Sequence, residues 1–438
     1  MSELRTLRVA LLGAGSVGSQ VARLLTEDRE ELAARAGITL DLVGVGVRSL
    51  DSARDWDIPA ELLTTDAHEL VQRADVVIEL IGGIEPARTL ILEAIAAGAD
   101  VVTGNKALIA AHGPELFEAA ARVGALISYE AAVAGAIPIL RPLRESLAGD
   151  RVNRILAIVN GSTNFILDRM DRFGDTMEQA QKTAFELGFL EADPTLDVDG
   201  YDAAQKAAIL ARLAFHADVP AEAVYREGIA DITAEQIADA SAAGATIKLL
   251  AIAERVTGEH GEGISTRVYP ALIPKEHPLA SVHGGNNAVF VEAAAAGPLM
   301  FYGAGAGGVQ TASAVLGDLV SAARRHVAGG PGLTDGATAK LPLIPIGEVR
   351  ARYQIALRVS DRPGVLAQIA GILAEAGVSV ETVVQSAAEA ADDSEERTAM
   401  LVIGTHTSRE DAVQNTVSEL RSHEAVRTVV SVLRFEGE

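Results

Sequence analysis

Cysteine is absent from the 438 residues, which excludes a disulfide framework, a thiolate zinc site and a cysteine nucleophile, and which suits a reducing compartment. No stretch offers the roughly 18 uncharged apolar residues that a membrane-spanning helix needs. The nine histidines follow no metal-ligand spacing such as H-E-x-x-H. Basic charge is also scarce: 37 lysines and arginines stand against 60 aspartates and glutamates, a formal charge of -23, and an acidic surface repels nucleic acid and anionic membranes. The opening MSELRTLRVALLGAG has no apolar segment ending in a cleavage site. These absences together predict a cytoplasmic protein acting on a small molecule, with neither nucleic acid nor membrane as partner.

What is present is a globular composition, 49% hydrophobic, in a chain long enough for two or three domains with separate cores. Leu7 to Leu12 predicts a strand, Val17 to Leu32 a helix and Ile38 to Val47 a second strand. Strand signals recur in ADVVIELIGG, GADVVTGNKAL and GALISYEAAVAG, with helical segments such as Ala87 to Ala97 between them. That alternation predicts an α/β protein whose first domain, residues 1–140, is a doubly wound parallel sheet. Over 141–302 helices (Thr176 to Leu187, Asp202 to Phe215) mix with strands (Asn153 to Val159, Val289 to Ala293), which predicts an α+β domain for substrate binding and dimerisation. The Gly/Pro-rich 328–349 reads as a linker. Residues 350–438 have the order βαββαβ, a ferredoxin-like topology, with SAAEAADDSEER expected as a mobile acidic loop.

In VALLGAGSVGSQVARLL, the run Gly13, Ala14, Gly15, Ser16, Val17, Gly18 sets three glycines in G-x-G-x-x-G spacing between a strand and a helix. The first permits a tight turn, the second lets backbone approach a pyrophosphate, and the third lets helix and strand pack closely. At the end of the second strand Arg48 and Ser49 replace the acid that would read a ribose hydroxyl, which favours NADP with NAD as the alternative. Alternatively, Arg48 is a solvated surface arginine.

Asp202 and Lys206 are four apart and share a helical face with Ile209, Leu210 and Leu213, so both charges point into an interior or a cleft wall. Spacing alone leaves a buried structural ion pair and a catalytic pair equally open. Lys106 follows the strand in ADVVTG, where open parallel sheets bind ligands; alternatively it is a surface lysine at a helix N-terminus that Asn105 caps. In GFLEADP, Glu191 and Asp193 could hold a substrate ammonium or form a solvated acidic turn. Lysines and carboxylates without cysteine suit a reaction in which a cofactor carries hydride and the protein supplies a proton.

Taken in order, GAGSVGSQV, VTGNKALIA, SYEAAVAGAIPI, NGSTNFIL, GFLEADPTLDVDGYDAAQKAAILA and YGAGAGGVQTASAVLGDL resemble the homoserine dehydrogenase family, in its long monofunctional form with a C-terminal ACT-type domain. The resemblance implies reversible hydride transfer between L-homoserine and L-aspartate 4-semialdehyde, toward threonine, methionine and isoleucine. By motif, Lys206 and Lys106 become the catalytic lysines, and Glu191, Asp197 and Asp202 the substrate-binding acids. Lys106, Gly188 and Gly303 lie against the cofactor, and 303–327 completes the nucleotide-binding domain. The resemblance further implies a monovalent cation, sodium, at Glu130, Val133, Gly135 and Ile137, held largely through backbone carbonyls. VSDRPGVLAQIAGILAEAGVSVETV resembles the ACT signature, with Asp361, Pro363 and Gly364 at the turn where such modules bind an amino acid; this implies threonine as effector, or alternatively an inert dimerisation module, and a homodimer or homotetramer. The rivals are another NAD(P)-linked oxidoreductase of this plan and a non-catalytic amino-acid sensor.

Overall fold

The computed structural model describes residues 5–329, 339–387 and 397–437. Most of SAAEAADDSEER and part of the 328–349 segment therefore lie outside the described residues. Two compact units divide the chain: Met1–Gly161 with Asp202–Val224 and Gly285–Lys340, and Ser162–Tyr201 with Tyr225–Gly284 and Leu341–Glu438. Among the described residues no helix is long and apolar enough to cross a membrane.

The first unit begins with a six-stranded parallel sheet. Its strands are β1 (Thr6–Leu12), β2 (Thr39–Gly46), β3 (Leu63–Thr64), β4 (Val76–Glu79), β5 (Asp100–Thr103) and β6 (Ile127–Ser128), in the order β3-β2-β1-β4-β5-β6. Helices α1 (Ser16–Glu27), α2 (Arg29–Ala36), α3 (Ala67–Gln72), α4 (Ala87–Ala96) and α5 (Lys106–Val123) connect them. Every residue of β4 and β5 is buried, as strands covered on both faces require. Strand order reverses between β1 and β4, and the crevice beyond their carboxyl ends is the ligand position of open α/β sheets.

The single helix expected over Val17 to Leu32 is two. Asp28 (φ -100°, ψ 21°) leaves the helical region, and α2 restarts with Glu30 and Glu31 in its first turn, where the helix dipole favours acids. Helix Gly308–Ala328 packs into the same layer: its Ala312, Val315, Leu319 and Ala323 are buried in one cluster with Val9 and Leu11 of β1 and Val21 and Leu25 of α1. Full burial of a residue such as Leu319 stabilises by about 1.5–3 kcal/mol. The unit also holds the antiparallel strands Val152–Ile158, Asn286–Ala293 and Gly297–Ala304, and nearly all of helix Tyr201–Phe215.

The second unit contains the long hairpin Ala245–Gly258/Gly261–Pro274 and a four-stranded antiparallel sheet. In that sheet Arg350–Ser360 lies between Val426–Phe435 and Thr398–Thr405, and Val380–Ala387 forms the outer strand. With helices Val365–Glu375 and Glu410–Ser422 this is the βαββαβ ferredoxin-like module. Tyr353, Ile355, Leu357 and Val359 fill its core by period-2 alternation. Strand Val426–Phe435 also runs parallel to Gly261–Pro274, pairing Arg434 with Ala271. Arg434 is thereby buried, and its guanidinium donates to both Glu410 and Glu227, while the Tyr353 hydroxyl donates to Glu410.

Candidate active site

The glycine turn is built by close backbone packing. Gly13 has φ +96°, and a Cβ there would sit 2.6 Å from the carbonyl oxygen of Leu80. A Cβ at Gly18 would sit 2.1 Å from the carbonyl oxygen of Gly13, so α1 meets the turn with no room for a side chain. Gly15, in contrast, faces open space, and Ser16 and Val17 form the first turn of α1, whose N–H groups lack intrahelical partners. A cleft of about 490 Å³ lies there, lined by Gly13, Ala14, Gly15, Arg48, Ser49 and Ile81 among others. Arg48 is exposed at this cleft, and no acid stands at the end of β2. Arg54, which also lines it, donates to the carbonyls of Ser49, Leu50 and Ser52 at 2.7, 3.0 and 2.9 Å and so shapes the loop that carries Ser49. Gly303 lies in strand Gly297–Ala304 of the same unit, against Ile137.

Helix Tyr201–Phe215 is buried on nearly every face, yet Asp202 is 5% exposed and the Lys206 side chain 12%. A charge in such a position is costly unless partnered. Both are: Lys206 Nζ donates to Asp202 Oδ2 and to the Val159 carbonyl, each at 2.7 Å, and Asn160 Nδ2 donates to Asp202 Oδ2 at 2.9 Å. The other oxygen, Oδ1, is 2.6 Å from Nζ of Lys106, whose side chain is 41% exposed. Burial pushes the Asp202 carboxyl up, but the charges of Lys206 and Lys106 outweigh it and hold its pKa well below the usual carboxylate range. Asp202 is thereby held as the anion, with one lysine Nζ at each of its oxygens. Lys106 is the first residue of α5, which Asn105 caps by accepting from the Leu108 N–H at 3.1 Å.

The segment 130–137 is a buried turn. Ala134 and Gly135 both have positive φ (60° and 57°), and a Cβ at Gly135 would lie 2.4 Å from the carbonyl oxygen of Gly305. The Glu130 carboxylate accepts the N–H groups of Ile139, Leu140 and Arg141 at 2.5, 2.7 and 2.8 Å. Its own N–H donates to Asp318 at 2.8 Å, and Arg141 also reaches Asp318. Burial pushes the Asp318 carboxyl up to about 6 against these partners. Val133, Gly135 and Ile137 are buried, and among the described residues no hydrogen bond reaches the carbonyls of Val133 or Gly135.

Glu191, Asp197 and Gly188 belong to the second unit. Gly188 (φ +77°) follows helix Met177–Glu186, Glu191 is exposed, and Asp197 sits in the short helix Thr195–Val198. Asp193 accepts the Thr195 N–H at 3.1 Å, a local turn bond. Asn160 and the Val159 carbonyl were not singled out from sequence. Asn160 does stand inside NGSTNFIL, directly after a buried strand; a backbone carbonyl leaves no sequence signal at all.

The family models described as homoserine dehydrogenase and as homoserine dehydrogenase, NAD binding domain, match residues 138–320 and 13–130, and the ACT domain model matches 353–425. A homoserine dehydrogenase of Mycobacterium tuberculosis is 50% identical over 431 residues, covering 98% of this chain and 97% of its own. A solved homoserine dehydrogenase from Thiobacillus denitrificans is 40% identical with a TM-score of 0.92, covering 100% of this chain and 99% of its own. A hyperthermophilic archaeal homoserine dehydrogenase in complex with NADPH is 28% identical with a TM-score of 0.62, covering 74% and 99%.

Proposed function

Since the chain belongs to the homoserine dehydrogenase family, NAD(P)-dependent oxidoreductases acting on a CH–OH group, we propose how its own residues divide the reaction. The observation that carries the proposal is the buried carboxylate of Asp202, clasped by both Lys106 and Lys206. A nicotinamide dinucleotide held at the Gly13–Gly18 turn would supply hydride for the aldehyde carbon of L-aspartate 4-semialdehyde, or accept it from the carbinol carbon of L-homoserine. Lys206 faces the carbonyl oxygen as an ammonium, polarises it, and gives its proton to the oxygen as negative charge develops. Asp202 and the Val159 carbonyl fix its direction, and Lys106 adds a second positive charge at the same carboxylate. Glu191 and Asp197 are proposed, on motif alone, as carboxylates for the ammonium of the amino acid.

NADP is the proposed cofactor over NAD. Arg48 and Ser49 stand where an acid would select NAD, and the archaeal relative is in complex with NADPH. The buried carbonyls of Val133 and Gly135 fit a hard monovalent cation such as sodium, with Ile137 completing the oxygen set; the Glu130 carboxylate already accepts three N–H groups. In the C-terminal module a cleft of about 350 Å³, lined by Asp361, Pro363, Gly364 and Gln385, is the proposed threonine site. Val383 and Val384 are exposed on the outer strand Val380–Ala387, which supports sheet pairing between copies in a homodimer or homotetramer.

The test is reduction of NADP or NAD by the purified protein with L-homoserine at alkaline pH, followed by absorbance, with and without threonine. Homoserine-dependent reduction, faster with NADP, is expected, and Lys206→Ala should lower turnover about 10²-fold while dinucleotide still binds. Near wild-type turnover in that variant refutes the role of Lys206; indifference to threonine removes the effector.

A further inference from the structure

One buried carboxylate takes no part in the mechanism above. Glu79, the last residue of β4, is 0% exposed. Its Oε1 accepts the N–H groups of Ile81 and Gly82 at 2.7 and 3.2 Å, and its Oε2 accepts the Thr103 hydroxyl at 2.6 Å. Among the described residues no lysine, arginine or histidine pairs with it. Three donors reduce the penalty of burying a carboxylate without cancelling it, and an apolar side chain of this size would fill the space without any such penalty.

The hydrogen bonds continue into a ring. The Thr103 oxygen accepts the Asn105 N–H at 3.0 Å, Asn105 Nδ2 donates to the Gly83 carbonyl at 2.6 Å, and Gly83 follows the two residues that Glu79 holds. This ring ties together the loops at the carboxyl ends of β4 and β5. Ile81, in the first loop, lines the cofactor cleft, and Lys106, directly after Asn105, carries the ammonium 2.6 Å from Asp202.

We infer that Glu79 is a positioning residue for hydride transfer: through Thr103 and Asn105 it fixes the start of α5, and with it the Lys106 ammonium against Asp202. The inference rests on the reading of Lys106, Asp202 and Lys206 given above. An acceptor-only group is required because the Thr103 hydroxyl and both loop N–H groups all donate toward it. Glu79→Gln keeps the volume but turns a donor toward Thr103, leaving its hydroxyl proton without the acceptor it now uses.

The test is a double-mutant cycle on the full chain, comparing Glu79→Gln, Lys106→Ala and the double variant with homoserine and NADP. Glu79→Gln alone is expected to lower kcat about tenfold or more. Because the ring also holds Ile81 at the cleft, kcat is compared at NADPH concentrations shown by fluorescence titration to saturate each variant, so that a change in affinity alone leaves kcat at the wild-type value. In the Lys106→Ala background the same change should alter kcat by less than about twofold, because the group it positions is gone. A full effect of Glu79→Gln in that background, or wild-type kcat in the single variant, overturns the inference. Should Glu79→Gln not fold, Thr103→Val cuts the same ring at the next bond and is read by the same criteria. Wild-type turnover in Lys106→Ala alone would instead bring down the reading of the site, and that result is seen before Glu79 is changed.

Discussion

Asp202→Asn removes one charge and almost no volume from the centre of the site. Two unit charges about 4 Å apart interact by about 4 kcal/mol at an effective dielectric of about 20, and both lysines are closer than that to the carboxylate. Lys106 is 41% exposed, so solvent screens its share to roughly 1 kcal/mol or less. Lys206 is 12% exposed, and removing the partner of a buried charge costs about 3–5 kcal/mol. A destabilisation of about 3 kcal/mol at pH 7 follows, or about 6–12 °C in melting temperature for a cooperative unit of 150–250 residues. The folded pKa of Asp202 is depressed, so its stabilisation is fully present above the unfolded value of about 3.9 and is lost as pH falls through the folded one. The gap between variant and wild type should hold constant from pH 7 to 5 and narrow below about 4. Calorimetric melts of both proteins across that range, at one ionic strength, decide it. A variant melting within about 2 °C of wild type at pH 7, or a gap that widens on acidification, refutes the reasoning.

Two further changes probe the scaffold around the site. Gly18→Ala would place a Cβ 2.1 Å from the Gly13 carbonyl oxygen, so α1 must move off the turn; dinucleotide affinity should fall at least about tenfold in a fluorescence titration, and an unchanged affinity would contradict the packing. Arg434→Ala leaves Glu410 buried without its cation and should destabilise the C-terminal module by about 3–5 kcal/mol, read by hydrogen exchange across 350–437; unchanged protection there would show that the ion pair contributes little.

Periodicity was enough to find the pair on helix Tyr201–Phe215, because two charges on an apolar stripe break the pattern that a solvated pair would follow. Lys106 could be picked out by its place at the end of β5, and the doubly wound sheet by its alternation of buried strands with helices. The meeting of both lysines on one carboxylate could not be read, since residues far apart along the chain meet only through packing. The burial of Arg434 is illegible for a related reason. In VRTVVSVLRF it reads as a charge near the end of a sheet strand, yet pairing with Gly261–Pro274 buries it. Glu79 did leave a signal, an acid that directly follows the buried apolar run Val76–Ile78, but its meaning needed the donors of two loops to be in view.

Helix Tyr201–Phe215 is covered on nearly all sides, so it tolerates Asp202 and Lys206 only where neighbouring elements supply partners. Those partners come from two separately built places: Val159 and Asn160 at the end of strand Val152–Ile158, and Lys106 at the turn between β5 and α5. Residues 202–224 accordingly cluster with the nucleotide-binding sheet although the preceding residues, 162–201, do not. Each lysine is thus held by a different part of the scaffold and aimed at the same carboxylate. A shift of either part would pull one ammonium away from Asp202, so the placement of the two lysines depends on the packing of the whole unit around this helix and not on the helix alone.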